Sequence, residues 1–212
     1  MHRPDSSLVE TRTSVGARRS EATETAVLDA FAALLDDIGY AAITMEAVAK
    51  RARAGKATVY RWWPTKAHIA LSLITKAKVE MAAPEGKSLR DDLTDYMTRV
   101  VGLWRGDGGL PVGILVRHCY AEAWSDPELA LALQSERRER WTLLNHILKA
   151  GVDRGELSAE TDLAWAKDFA MSWPFYLLMT DRLPGPEEIE RMVDDTLGGL
   201  TSGSSRRRSP DI

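Results

Sequence analysis

Residues 44–66 read TMEAVAKRARAGKATVYRWWPTK, and this stretch decides the fold. Met45, Val48, Ala49 and Ala52 recur at i, i+3, i+4 and i+7, the pattern of a short helix with one apolar stripe. Thr44 suits its N-cap, and Glu46 in the first turn complements the helix dipole. A turn at Arg53–Gly55 follows, and a second helix is expected from near Lys56, with Val59 and Trp63 facing inward. Pro64 ends it, because a residue before proline is pushed out of the helical region. Small residues at Ala52, Ala54 and Ala57 would let the two helices approach closely.

The remaining side chains are the informative ones. Lys56, Ala57, Thr58, Tyr60 and Arg61 fall near the amino end of the second helix or on its outer side. A packed core does not need a hydroxyl, a phenol and cations at such positions. A helix-turn-helix does, since one helix braces and the next enters the DNA major groove. Thr65 can cap a following helix, whose free N–H groups would form a phosphate site with the Lys66 ammonium.

From Glu21 to Ile74 the chain resembles the DNA-binding domain of the TetR family of bacterial transcriptional regulators. The resemblance is carried by Ile38-Gly39-Tyr40, Thr44, Val48-Ala49, Ala52, Lys56, Thr58-Val59-Tyr60-Arg61 and Trp62-Trp63-Pro64-Thr65-Lys66. Two positions depart from the common pattern: Arg53 stands where the turn usually has Gly, and Gly55 where Ser or Thr often caps the recognition helix. A non-glycine residue with positive φ costs about 1 kcal/mol or more, so the turn is either altered or its strain offset elsewhere. The DNA-contacting set expected is Thr44, Lys56, Ala57, Thr58, Tyr60, Arg61, Trp62 and Lys66. Tyr60, Lys66 and Thr44 would grip phosphates, while Lys56, Thr58, Arg61 and the Ala57 methyl would face base edges.

The resemblance implies an all-α protein of about nine helices, with a three-helix head and a larger helical-bundle body. Residues 1–19 are expected as a disordered arm, 20–66 as the DNA-binding domain (motif about 44–63), 67–82 as a linking helix, 83–200 as a ligand-binding and dimerisation domain, and 201–212 as a disordered tail. Ser20 would cap a first helix carrying Val27, Ala30, Phe31, Leu34, Leu35 and Ile38 on one face, closed by Gly39. Arg18-Arg19 suits either a phosphate or minor-groove contact or a solvated basic tail. Ala83-Pro84-Glu85-Gly86 marks the boundary before the body. Apolar stripes then define five body helices: Leu89 to Trp104, Val112 to Ala123, a long one from Asp126-Pro127 towards Gly155, Leu163 to Leu177 with Pro174 inside, and Ile189 to Leu200.

An all-helical body attached to a DNA reader has two jobs to fill, holding a partner subunit and holding a signal. Paired heads reading a palindromic operator need a homodimer, and the resemblance implies that the last two helices pair with their symmetry mates. Trp165, Phe169, Leu177, Ile189, Met192, Val193 and Leu197 are the interface candidates. Five of the seven tryptophans lie in the body. A small apolar or amphipathic effector is expected there, with Met97, Trp104, His118, Cys119, Trp141, Trp173 and Tyr176 as candidate lining, although aromatics at helical spacing can equally just fill a core.

Bulk properties narrow the class. The chain has 212 residues, 28% charged and 44% hydrophobic, with a net charge of −3. Residues 1–66 hold ten Lys/Arg against eight Asp/Glu and the rest eighteen against twenty-three, a basic head and an acidic body. One cysteine excludes an intramolecular disulfide and fits a reducing cytoplasm. The first twenty residues carry no signal-peptide pattern, and no apolar run reaches the about 18 residues of a membrane span, so a cytoplasmic protein bound to the bacterial nucleoid is expected. Four histidines without Cys-x-x-Cys or Glu-x-x-His argue against a metal site, and no cofactor is expected. No glycine-rich phosphate loop or nucleophile elbow is present, which argues against an enzyme. A ligand-released dimeric repressor is therefore the reading, with a helical small-molecule-binding or dimerisation protein lacking DNA readout as the alternative.

Overall fold

A computed structural model describes residues 15–78 and 87–202, and these contain nine α-helices and no strand. The chain divides into two compact units, Met1–Lys66 and Ala67–Ile212. Ala83–Gly86, positions 1–14 of the expected arm, the side chains of Arg18 and Arg19, and the tail beyond 202 with Arg206–Arg208 lie outside the described residues.

The first unit holds α1 (Val15–Ala42), α2 (Met45–Arg51) and α3 (Lys56–Trp62). Val27, Phe31, Val48 and Val59 are wholly buried, each stabilising the unit by about 1.5–3 kcal/mol. Phe31 meets Tyr40 edge-to-face, ring centroids 6.1 Å apart. Three expectations are corrected. Helix α1 begins at Val15, so Ser20 lies inside it instead of capping it, and positions 15–19 form its first turns. Ile38 is 48% exposed and sits outside the stripe that ends at Leu35. Ala57 is exposed, so it is not one of the small residues between the helices. Gly39 interrupts α1 (φ 73°, ψ 159°), and one further turn carries the chain to Ala42.

Helix α2 ends in a Schellman motif. The Ala54 N–H donates to Ala49 O (3.0 Å) and the Arg53 N–H to Lys50 O (3.2 Å). Arg53 occupies the left-handed position at φ 51°, so the turn keeps its usual geometry and an arginine bears the strain.

The second unit contains α4 (Lys66–Lys78) from its second residue, then α5 (Leu89–Arg105), α6 (Val112–Ala123), α7 (Pro127–Asp153), α8 (Leu163–Met179) and α9 (Pro186–Ser202). Side-chain caps fix three starts: Ser88 accepts from Asp91 N–H, Asp126 from Leu129 N–H, and Asp162 from Ala164 and Trp165 N–H. Helix α5 packs against α6, α7 and α9, and α8 against α7 and α9. A Cβ at Gly113 would stand 2.7 Å from Trp104 O, so only glycine allows α6 to lie this close to α5. The core stripe of α8 is Ala166, Ala170, Pro174 and Leu177, while Phe169 and Trp173 face outward.

Candidate functional site

The recognition element is built from its anchors outward. Val59 (0% exposed) and Trp63 (5%) pin α3 to the unit, and Trp63 takes an extended backbone (φ −132°) before Pro64, as the pre-proline restriction requires. Trp62, half-buried, packs edge-to-face on Trp63 at 5.6 Å. With that face fixed, Lys56, Ala57, Tyr60 and Arg61 are exposed and Thr58 is half-buried. Thr44, also exposed, accepts from Ala47 N–H (3.1 Å) through Oγ1, as an N-cap should.

One residue outside the expected set organises this surface. The Glu46 carboxylate takes the Lys56 ammonium at 2.7 Å and accepts the Tyr60 hydroxyl at 2.9 Å through the same oxygen, Oε1. The Lys56 bond is the largest cause holding the Glu46 carboxyl down to about 2. The same carboxylate raises the pKa of Lys56 and of Tyr60. Sequence reading placed Glu46 as a dipole partner of α2 alone. Its ten-residue separation from Lys56 across a turn hid the pairing.

Lys66 makes its contacts within the unit. Its ammonium donates to the carbonyls of Tyr40 (3.0 Å), Ala41 (3.4 Å) and Ile43 (3.4 Å), and it stands 4.5 Å from the centre of the Tyr40 ring. Three donors are thus directed at the end of α1, where free helix carbonyls collect, and the group braces the unit.

The second unit holds a partly open cavity of about 320 Å³ between α4, α5, α6, α7 and α8. Trp104 and Trp141 line it. Of the other expected lining residues, Met97 and Cys119 are buried elsewhere in the core, His118 is outside the wall, and Trp173 and Tyr176 are on the surface, 50% and 57% exposed. Phe175 and Tyr120, edge-to-face at 4.9 Å, supply aromatic wall that the stripes did not single out, being half-buried residues beside them. Glu136, Arg137 and Asp168 supply the polar wall, and Arg137 stacks over Trp141 at 4.6 Å. Trp104 Nε1–H is buried with no acceptor. Cys119 donates to Ala67 O at 3.5 Å, and burial pushes its thiol up to about 12, which rules out a ready thiolate. Among the described residues no group of three acidic, His or Cys side chains is placed to hold a metal, and no helix is long and apolar enough to cross a membrane.

On α8, Trp165, Phe169, Trp173 and Tyr176 form one outward stripe, with Trp165 and Phe169 stacked at 5.0 Å. Leu177, Ile189 and Val193, expected at an interface, are instead wholly or nearly buried core, while Met192 and Leu197 are half-buried. Leu177, Ile189 and Val193 pack α8 and α9 within the unit.

Comparison with known proteins matches these features. Residues 27–73 match the model for bacterial regulatory proteins of the tetR family, and residues 83–196 that for the tetracyclin repressor-like C-terminal domain. The chain is 34% identical over 182 residues to the uncharacterized HTH-type transcriptional regulator Rv1556 of Mycobacterium tuberculosis, covering 82% of this chain and 85% of that one. It is 26% identical over 190 residues to YdeS of Bacillus subtilis, also an uncharacterized HTH-type transcriptional regulator, at 89% and 92% coverage. The fold is that of the TetR family regulator SCO0332 (TM-score 0.68, 23% identity, 84% of this chain and 98% of that one). It is also that of FadR from Bacillus subtilis, solved with stearoyl-CoA (TM-score 0.58, 19% identity, 84% and 98%). With an anchored, outward-facing recognition helix and both halves of the family matched, the chain belongs to the TetR family of bacterial transcriptional regulators and is a DNA-binding regulator.

Proposed function

We propose that this regulator is a dimeric repressor whose α3 enters the major groove and which a small apolar or amphipathic molecule releases from its operator. The observation that carries the reading is the division of α3: Val59 and Trp63 are buried while Lys56, Ala57, Tyr60 and Arg61 are exposed along the other side. Lys56 and Arg61 suit guanine, the Ala57 methyl suits thymine, and Thr58 suits either. Thr44 keeps its hydroxyl proton for a phosphate, and Tyr60 reaches one by exchanging Glu46 for a phosphate oxygen. Lys66 acts by holding the end of α1 in place.

The outward aromatic stripe of α8, with Trp165, Phe169, Trp173 and Tyr176 exposed on one side, supports a dimer. The effector belongs in the cavity, whose volume lies at the small end of the about 300–1,000 Å³ typical of ligand pockets. Its mixed aromatic and charged wall suits an amphipathic molecule, and FadR, a protein of the same fold, was solved with one, stearoyl-CoA. Coupling between effector and operator is typically about 1–3 kcal/mol and reciprocal. The test is duplex binding against salt, comparing the region upstream of the regulator's own gene with a scrambled duplex. Tighter binding of the upstream region, weakened on both duplexes by Thr44→Val and selectively by Lys56→Ala, is the expected result. Equal affinity for both duplexes sinks the reading.

A further inference from the structure

We propose that Glu46 is a base-reading residue, forming with Lys56 a paired acceptor and donor that recognises one G·C base pair in each half-site. The inference rests on the DNA interface proposed above and adds a contact from α2, the helix otherwise assigned only to bracing.

The geometry carries it. Glu46 Oε1 and Lys56 Nζ lie 2.7 Å apart on the exposed surface of α2 and α3, with side chains 54% and 62% exposed. The major-groove edge of a G·C pair presents guanine O6 and cytosine N4–H side by side, joined by a Watson–Crick bond of about 2.9 Å. An ammonium and a carboxylate held at nearly that spacing oppose this edge in register, the ammonium on O6 and N7 and the carboxylate on N4–H. The ion pair stays intact as it does so. Lys56 has three N–H donors and spends one on Glu46, leaving two for guanine. A carboxylate has about four lone-pair positions, and the Lys56 and Tyr60 bonds leave room for a further donor. When Tyr60 O–H turns to phosphate, cytosine N4–H takes its place, so no buried donor or acceptor is lost.

The pairing also explains how a carboxylate is tolerated on a surface that meets phosphates. Lys56 neutralises it at contact distance, and the low pKa of Glu46 keeps it ionised, acceptor-only, at any physiological pH. A C·G pair in reversed orientation would set N4–H against the ammonium and O6 against the carboxylate, two repulsive contacts at once. Discrimination therefore arises from both members of the pair.

The experiment is selection of duplexes from a random pool by the full-length wild-type chain, Glu46→Ala, Glu46→Gln and Lys56→Met, followed by affinities on the selected duplex and its single-base variants. The wild type is expected to select a palindrome with one G·C pair per half-site fixed in orientation. Glu46→Ala should lose about tenfold in discrimination at that position alone. Glu46→Gln should shift the paired base from cytosine towards adenine, whose N6 and N7 suit an amide. Lys56→Met should relax the same position and no other. If Glu46→Ala selects the wild-type palindrome with every preference intact, or tightens all duplexes equally, Glu46 reads no base and the proposal is overturned. If the wild type selects no palindrome, the interface itself is misassigned and the proposal falls with it.

Discussion

Replacing Arg53 by glycine should stabilise the protein, a rare sign for a substitution in a DNA-binding turn. The chain ends three helices with the same Schellman pattern and fills the left-handed position differently each time. At α2 it is Arg53 (φ 51°), at α7 Gly155 (φ 78°) and at α8 Asp181 (φ 58°). The bonds are alike: Ala54 N to Ala49 O at 3.0 Å, Glu156 N to Gly151 O at 2.9 Å, Arg182 N to Leu177 O at 2.9 Å. The backbone hydrogen bonding is therefore held constant and the residue alone varies. A left-handed non-glycine residue costs about 1–2 kcal/mol, and glycine returns about 0.4–1 kcal/mol through the freedom of its unfolded chain. The net gain for Arg53→Gly is about 0.5–1 kcal/mol. In urea, with an m-value of about 2 kcal/mol/M, the midpoint should rise by about 0.25–0.5 M at unchanged slope. Arg53→Ala removes the same side chain and keeps the strain, so its midpoint should stay put. The reciprocal change, Gly155→Arg, enters open space and should lower the midpoint by a similar amount. If glycine and alanine at position 53 give the same midpoint, backbone strain is not what Arg53 bears, and the argument fails.

Four further outcomes are expected. Lys66→Met removes three bonds to the end of α1 and should cost about 1–2 kcal/mol in urea unfolding, with full loss of DNA affinity only where the protein unfolds. The Glu46 carboxyl carbon, followed by NMR, should titrate near pH 2, and Lys56→Met should move the midpoint up towards the ordinary 4.5. Because the folded-state pKa lies below the unfolded one, the associated stability is present above about pH 4.5 and is lost as the pH falls towards 2. Trp173→Glu with Trp165→Glu places charge on the exposed α8 stripe and should yield a folded monomer by ultracentrifugation, with operator affinity at least tenfold weaker; an unchanged dimer would place the interface elsewhere. Ser172→Phe narrows the cavity and should weaken binding of the apolar dye 8-anilinonaphthalene-1-sulfonate while leaving duplex affinity as it was.

The helices were legible because their signals are local. Thr44, Ser88, Asp126 and Asp162 are caps whose partners lie two or three residues away, and Leu89, Leu93, Tyr96, Val100 and Trp104 recur at helical spacing into one core. Gly106, in the left-handed conformation, stops α5, and the glycines at 106, 108 and 109 are a local stop signal of the same kind. What periodicity cannot report is which side of a two-sided apolar helix turns inward. Helix α8 has Ala166, Ala170, Pro174 and Leu177 on one side and Trp165, Phe169, Trp173 and Tyr176 on the other. Size favours the aromatics for the core. Packing decides otherwise, because Ala166 and Ala170 let neighbouring helices approach where a ring would hold them apart.

The same distinction governs the DNA-binding surface. The division of α3 into buried Val59 and Trp63 and exposed Lys56, Tyr60 and Arg61 follows from spacing, so it was readable. The use of each cation was not, because a lysine carries no mark of its acceptor. Lys66 finds the open carbonyls at the end of α1, 26 residues back in sequence from Lys66 to Tyr40, and Lys56 finds a carboxylate across a turn. Both partners are set by tertiary placement. The consequence is chemical: of two lysines ten residues apart, one is exposed with donors to spare and one has its donors committed to backbone. The first is the one we propose reads a base, together with an acidic neighbour whose place in the sequence marks it only as a helix-dipole partner.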